Sequence, residues 1–436
     1  MSRSSSMQAE GHRFNANAVF MWSMTILSLA LILYLCLRLV VQFYTPPPLH
    51  RLQLEKDIPL PGALPDANVG NQLSLLPGRS IRFDHFDFQT LDPVTHLLFI
   101  AHTGPNPDKE VLVDPKFNPE TDSKTDGNVI VFDTQQQKLL RVLPIPQVAG
   151  VVAAPDLGRV YAGDSNDGII YAIDEHTFQV TPIKLDQHDS PDGMDYDATD
   201  HKIFVSDPGT PPNPAVSQDI DLKNQNVAVI DALTNTLITK IPLGLDGKWG
   251  DDVGHTHYDP TSHLVYTVTL PLQDPNNANI VPVPPSYLAV INPVTDRLLK
   301  RIRLPDECLT PHGLSIDSQQ EIAFIACIDS DPVPILVRVD LRTQQPIVEN
   351  YPTLSINPDI VIMDSSWHLL YVGCTAGVSV FQIQGRSLKK IGDFQFGVST
   401  HTIFVNDVTH EIYLPLVSVG GRPTLRIETY NPNGVV

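Results

Sequence analysis

The sequence predicts an all-β protein: a closed seven-bladed β-propeller of four-stranded blades, preceded by a single transmembrane helix. Three observations lead there. Past residue 80, short alternating apolar runs recur at a minimum spacing of about 42 residues, with Asp, Asn and Gly turns between them. A segment ahead of the first repeat copies the outermost strand of a later one. Near the start, residues 19–37 carry no charge over 19 positions.

The first element is the apolar stretch AVFMWSMTILSLALILYLCLRLVV at 18–41. Arg38 can snorkel to lengthen the span, and Trp22, Tyr34 and Tyr44 fall near the interfacial zones. A cleavable signal peptide is the rival, but the apolar run is too long and QFYTPPPL follows in place of a small-residue cleavage site. The expectation is an uncleaved anchor in membrane lipid, a cytoplasmic tail at 1–17 and an extracytoplasmic domain. Arg3 and Arg13 favour that orientation, while Arg38, Arg51 and Lys56 oppose it. The stalk at 42–51 contains Pro46, Pro47 and Pro48, so it is short and stiff.

The propeller is expected over 52–436. Its aligned turns fall at Asp92, Ala154, Asp197, Asp259, Asp317, Asp364 and Asn406. The second strands then read HLLFIAH, RVYAGDS, KIFVSDP, LVYTVTL, IAFIACI, LLYVGCT and EIYLPLV, and the third include NVIVFDT, NVAVIDA and YLAVINP. Fourth strands such as LITKIPLG close the units. The last unit ends at ETYNPNGVV with no room for a fourth strand. LQLEKDIPLPG at 52–62 ends in the same pattern as LITKIPLG, so it is expected to complete the last blade and remove an open sheet edge.

The unit KIFVSDPG…QNVAVIDALTNTLITKIPLG resembles the YVTN-type β-propeller repeat family, and RVYAGDSN…IIYAIDEHTFQV resembles it with gaps. The resemblance covers roughly 83–436 and implies the propeller fold. It implies little about function, since such scaffolds serve as surface proteins, metal-linked periplasmic proteins, binding domains and parts of redox enzymes.

Five residues before each aligned turn stand Asp87, Ala149, Asp192, Gly254, His312, Asp359 and His401. In a propeller the innermost strand of each blade begins at the top of the central channel, so these positions form a ring there. His85 precedes Asp87, and His255 and His257 follow Gly254 in GHTHYD, an i,i+2 pair expected to share a strand face. The second strands return to the same face and end at His102, Asp164, Asp207, Thr269, Cys327, Cys374 and Leu416. Imidazole and carboxylate together suit a divalent ion. The most economical ligand set is His312, Asp359 and His401, with Asp87 or Asp192 across the channel. Asp87, Asp192, His255, His257, His102, Asp164 and Asp207 are ligand-binding candidates, and Ca, Zn, Mn and Cu stay open as the metal. Capping of the strand starts and turns is the competing explanation. His96, His201, His263, His368 and His410 fall in the turns of the opposite face, where packing or capping is expected.

Second-to-third-strand insertions at 103–128, 208–225 and 270–286 are rich in Pro, Asp and Asn and are expected to form a rim above the channel. The formal net charge of −20, which becomes −23 once 1–56 is set aside, repels nucleic acid. Four cysteines are too few for a disulfide framework, and Cys327 and Cys374 read as small buried fillers. The lack of any Asn-x-Ser/Thr acceptor fits a bacterial cell-membrane protein. No CxxCH, HExxH, phosphate-binding Gly-rich loop or serine-nucleophile motif occurs, which removes c-type electron transfer and nucleotide transfer. Two functions remain. One is a tethered module binding a protein, glycan or small molecule through its top face. The other is a metal-dependent hydrolase, of lactonase or esterase type, built on the His/Asp ring.

Overall fold

A strand packed on both faces has no polar side to offer, and the second strands of the repeats obey that rule. Leu97–His102 and Ile322–Cys327 are buried at every position. The outer strands Lys138–Pro144 and Arg297–Arg303, at the rim of the molecule, are mostly exposed or half-buried. The computed structural model describes residues 52–60, 85–104, 127–186, 189–209, 225–243, 251–271, 285–328, 333–347, 351–396 and 400–431. The larger of two compact units, Leu52–Tyr430, holds all the described strands.

The strands form seven four-stranded antiparallel sheets. Six are built from consecutive strands, each starting from an inner strand: Phe86–Asp92, Val148–Ala154, Met194–Asp197, Asp251–Asp259, Pro311–Asp317 and Pro358–Asp364 for blades one to six. The seventh runs inward to outward through Phe404–Val405, Glu411–Val419, Arg422–Tyr430 and Leu52–Pro59. There Leu52 pairs with Tyr430 and Pro59 with Thr424, and Leu60 N–H donates to the Pro423 carbonyl. Both edges of Arg422–Tyr430 are thereby occupied.

Among the described residues, seven apolar clusters fill the gaps between neighbouring blades. One of them joins Tyr413, Leu425 and Ile427 of blade seven to Phe86, Ile100 and Phe132 of blade one. This cluster closes the circle, and Gln89 adds hydrogen bonds to Thr402 and to the Tyr413 carbonyl across the same seam. At about 25 cal/mol per Å² of apolar surface, each such interface is worth several kcal/mol against unrolling.

Each inner strand ends in a tight turn on the face away from the channel mouth. Asp92 accepts from the N–H groups of Val94 and Thr95, and Asp197, Asp259, Asp317 and Asn406 repeat the bond. Four residues later the chain turns left-handed, at His96, His201, His263, His368 and His410 among others. These histidines are therefore turn residues, as expected.

Two expectations fare differently. Among the described residues no helix is long and apolar enough to cross a membrane, and the expected span at 18–41 lies outside the described residues. The rim insertions fall largely outside them too. Cys327 is not a simple core filler: it is joined to Cys308 by a disulfide, with Cα atoms 5.2 Å apart. Cys308 lies in the loop before blade five's inner strand, so no strand pattern marks it as a partner. Cys374 is a free, buried thiol pushed up to about 12 by burial.

Candidate functional site: the channel mouth

The ring positions coincide with a fault in the sheets. In blade one, Asp87 and Phe88 together face a single partner residue, because pairing steps from Phe86–His102 to Gln89–Ile100. The same two-against-one bulge falls at Ala149–Gly150, Gly254–His255, His312–Gly313 and Asp359–Ile360. In blade three, Asp192 N–H donates to the Ser206 carbonyl and Ser206 N–H to that of Gly193. A bulge twists the strand and re-aims a side chain. Repeated in blades one, four, five and six, it turns Asp87, His255, His312 and Asp359 toward the axis.

Glycine lets neighbouring inner strands press together at these points. A Cβ on Gly313 would stand 1.8 Å from the Asp359 carbonyl oxygen, and one on Gly150 would stand 1.8 Å from that of Asp192. No side chain fits either place. The mouth is correspondingly narrow: Phe88 of blade one rests on the His255 ring of blade four, with centroids 4.6 Å apart.

Asp359 lies at the centre. Its Oδ1 is 3.1 Å from His255 Nε2 and 3.4 Å from His312 Nε2, while Oδ2 contacts His401 Nε2. His255 and Asp359 are almost fully buried, whereas His312 and His401 keep about 30% of their side chains open to solvent. His255 Nε2 and Asp359 Oδ1 are close but misaligned, and neither atom forms a hydrogen bond. Two donor sets emerge, each with atoms within 4.8 Å of one another: His255, His312 and Asp359; and His85, Asp87 and His401. In the second, the His85 and His401 rings lie 4.5 Å apart and His401 Nε2 is 3.9 Å from Asp87 Oδ1.

The electrostatics follow from crowding in a dry place. Burial pushes Asp87 up to about 7 despite the opposing pull of His401, and burial with the neighbouring Asp87 does the same for Asp192. His255 is driven down to about 4 by burial, against the attraction of Asp359. For Asp359, burial acts upward, but His401 and His312 outweigh it and hold the carboxyl well below its usual range. His401 is raised to about 9: burial opposes the charge, and Asp359 more than compensates.

Both histidines of the expected set, His312 and His401, meet Asp359. His255 joins His312 on the same carboxylate oxygen, and His401 also groups with His85 and Asp87. His255 and His257 do not share a face, because the bulge at Gly254–His255 breaks the two-residue alternation. His257 turns instead to Asp195 of blade three, at 3.3 Å. The second row stands apart from this cluster. His102 is buried against Phe86 and bonded to Asn128 at 2.9 Å. Asp164 accepts from the N–H groups of Asn166 and Asp167, and Asp207 from those of Ser190 and Gly209. Second strands lie one strand spacing farther from the axis, about 4.8 Å, and their end residues meet loop backbone first.

No family model matches the chain, and no curated protein matches it either. Among solved structures it is similar to a chain of hydrazine synthase from Kuenenia stuttgartiensis, at a TM-score of 0.58 and 11% identity. That match covers 82% of this chain and 99% of the other. A chain of the mitotic checkpoint complex matches at a TM-score of 0.57 and 9% identity, over 88% of this chain and 93% of the other. Likeness at such identities establishes the β-propeller fold and nothing finer.

Proposed function

We propose that this is a membrane-tethered, extracytoplasmic propeller of the YVTN type, a binding module whose channel mouth carries a divalent transition-metal ion held by His255, His312 and Asp359. The observation that carries the reading is the pair of buried atoms His255 Nε2 and Asp359 Oδ1. They stand 3.1 Å apart in poorly aligned geometry, and His312 Nε2 stands 3.4 Å from the same oxygen. A buried polar atom left unpaired is costly, and a shared cation relieves several at once. Two imidazoles and one carboxylate suit Zn²⁺, Mn²⁺ or Cu²⁺ better than Ca²⁺, which prefers six to eight oxygens. A protein partner fits the general use of propeller faces.

The Cys308–Cys327 disulfide supports the extracytoplasmic placement, because such bonds persist in oxidising compartments. So does the uncharged run at 19–37. A second reading, hydrolysis of an ester or lactone, is favoured by the partial exposure of His312, through which water could reach an ion held there and be acidified by it.

Elemental analysis and zinc or manganese titration of the full chain in detergent test the proposal. The wild type should bind metal, and His255→Ala should weaken binding by at least about 100-fold, the upper end of what loss of a supporting contact alone costs. Metal-free protein with no affinity for either ion defeats it. Turnover of an ester or lactone panel by the loaded protein, lost in His255→Ala, would select the hydrolase.

A further inference from the structure

The metal reading accounts for His255, His312 and Asp359, yet it leaves a second set of the same composition beside the first. His85 and Asp87 come from blade one and His401 from blade seven, and their donor atoms also lie within 4.8 Å of one another. Asp359 belongs to both neighbourhoods. Its Oδ1 faces His255 and His312, and its Oδ2 touches His401.

We propose that the channel mouth holds two divalent transition-metal ions, bridged by Asp359, with His255 and His312 on one ion and His85, Asp87 and His401 on the other. The inference rests on the metal reading above and extends it. A carboxylate that spreads its two oxygens between two donor sets is the standard bridge of two-metal sites, whose ions stand roughly 3.5–4 Å apart. Asp192 lies within electrostatic reach of Asp87, Asp359, His312 and His401, so three carboxylates crowd one mouth and add to its attraction for cations. Both sets reach solvent, since His312 of the first and all three residues of the second are half-buried rather than fully buried. The ligand class that suits such a centre is an oxyanion able to place one oxygen on each ion, such as a phosphate or carboxylate group.

Manganese loading of the full chain in detergent separates this inference from the reading beneath it. Elemental analysis of the wild type should find two ions per chain, with the electron paramagnetic resonance signal of a magnetically coupled pair. Asp87→Asn and His401→Ala should each reduce this to one ion with an uncoupled signal. His85→Ala serves as an independent variant, and the thermal transition of each variant reports whether it has folded. One ion per chain in the wild type, or two uncoupled ions, overturns the bridged pair and leaves the single-ion reading standing. No bound ion in the wild type overturns both. A folded His401→Ala that keeps two coupled ions also overturns the assignment.

Discussion

The two ends of the inner strands use the same residue type in opposite ways. At the channel mouth, His255, His312 and His401 converge on one carboxylate, that of Asp359. At the far end, His201, His263 and His410 sit singly in left-handed turns, at φ of 51°, 52° and 62°. Each of these has a partner of its own: Tyr196 for His201, Tyr258 for His263, and Asp364 for His410. His410 also stacks on Trp367 at 3.7 Å. Turn histidines stay apart, no more than one to a blade, because each sits in its own turn at the far end of its strand. Channel histidines are pooled because the strands that carry them meet at the axis. Titratable residues gathered at one point, rather than paired off singly, are what the proposed metal site rests on.

That contrast can be broken at three strengths. The largest effect is expected for Gly313→Ala, whose Cβ has no room beside the Asp359 carbonyl. A loss of about 3 kcal/mol by chemical denaturation, with weaker metal binding, is the expected outcome. Unchanged stability would mean the inner strands are not pressed together there. His410→Ala comes next. It removes the 2.7 Å bond to Asp364 and the Trp367 stack, for about 1–2 kcal/mol, and should leave metal affinity untouched. A drop in metal affinity would dissolve the division between the two faces.

The smallest effect concerns Glu175, also at the turn face, which accepts from Thr95 at 2.7 Å. Burial, with the neighbouring Asp92 carboxyl, raises its pKa from 4.5 to about 8. The folded chain therefore holds a proton that the unfolded chain has released. Its contribution to stability is complete below about pH 4.5 and is lost as pH rises toward 8. Glu175→Gln should flatten that decline in a series of thermal melts across the range. An equal slope in both proteins would assign the decline to another group.

Much of the fold was legible because strand alternation is local. A blade's middle strands are covered on both sides, so NVAVID or IAFIAC announces itself without reference to distant residues. The closing strand was legible for a similar reason: LQLEKDIPLPG carries the outer-strand pattern and the last repeat lacks one. The ring was legible in part. Counting back from the turns located Asp87, Asp192, His312, Asp359 and His401, since every blade repeats the same strand length. It selected Gly254 in blade four, where His255 is the residue that reaches the axis, because the bulge adds a position that no alternation records. The Cys308–Cys327 pair was invisible for the same kind of reason, a loop folding back over a strand end.

By itself, then, the sequence determined the blades, their number and the way the circle closes, because apolar patterning and turn chemistry act within a few residues. Which side chains touch was decided only in three dimensions. Bulges and glycine contacts set how closely the inner strands approach at the mouth. There one carboxylate chooses its histidines by the approach of strands from separate blades, a relation no single stretch of chain contains.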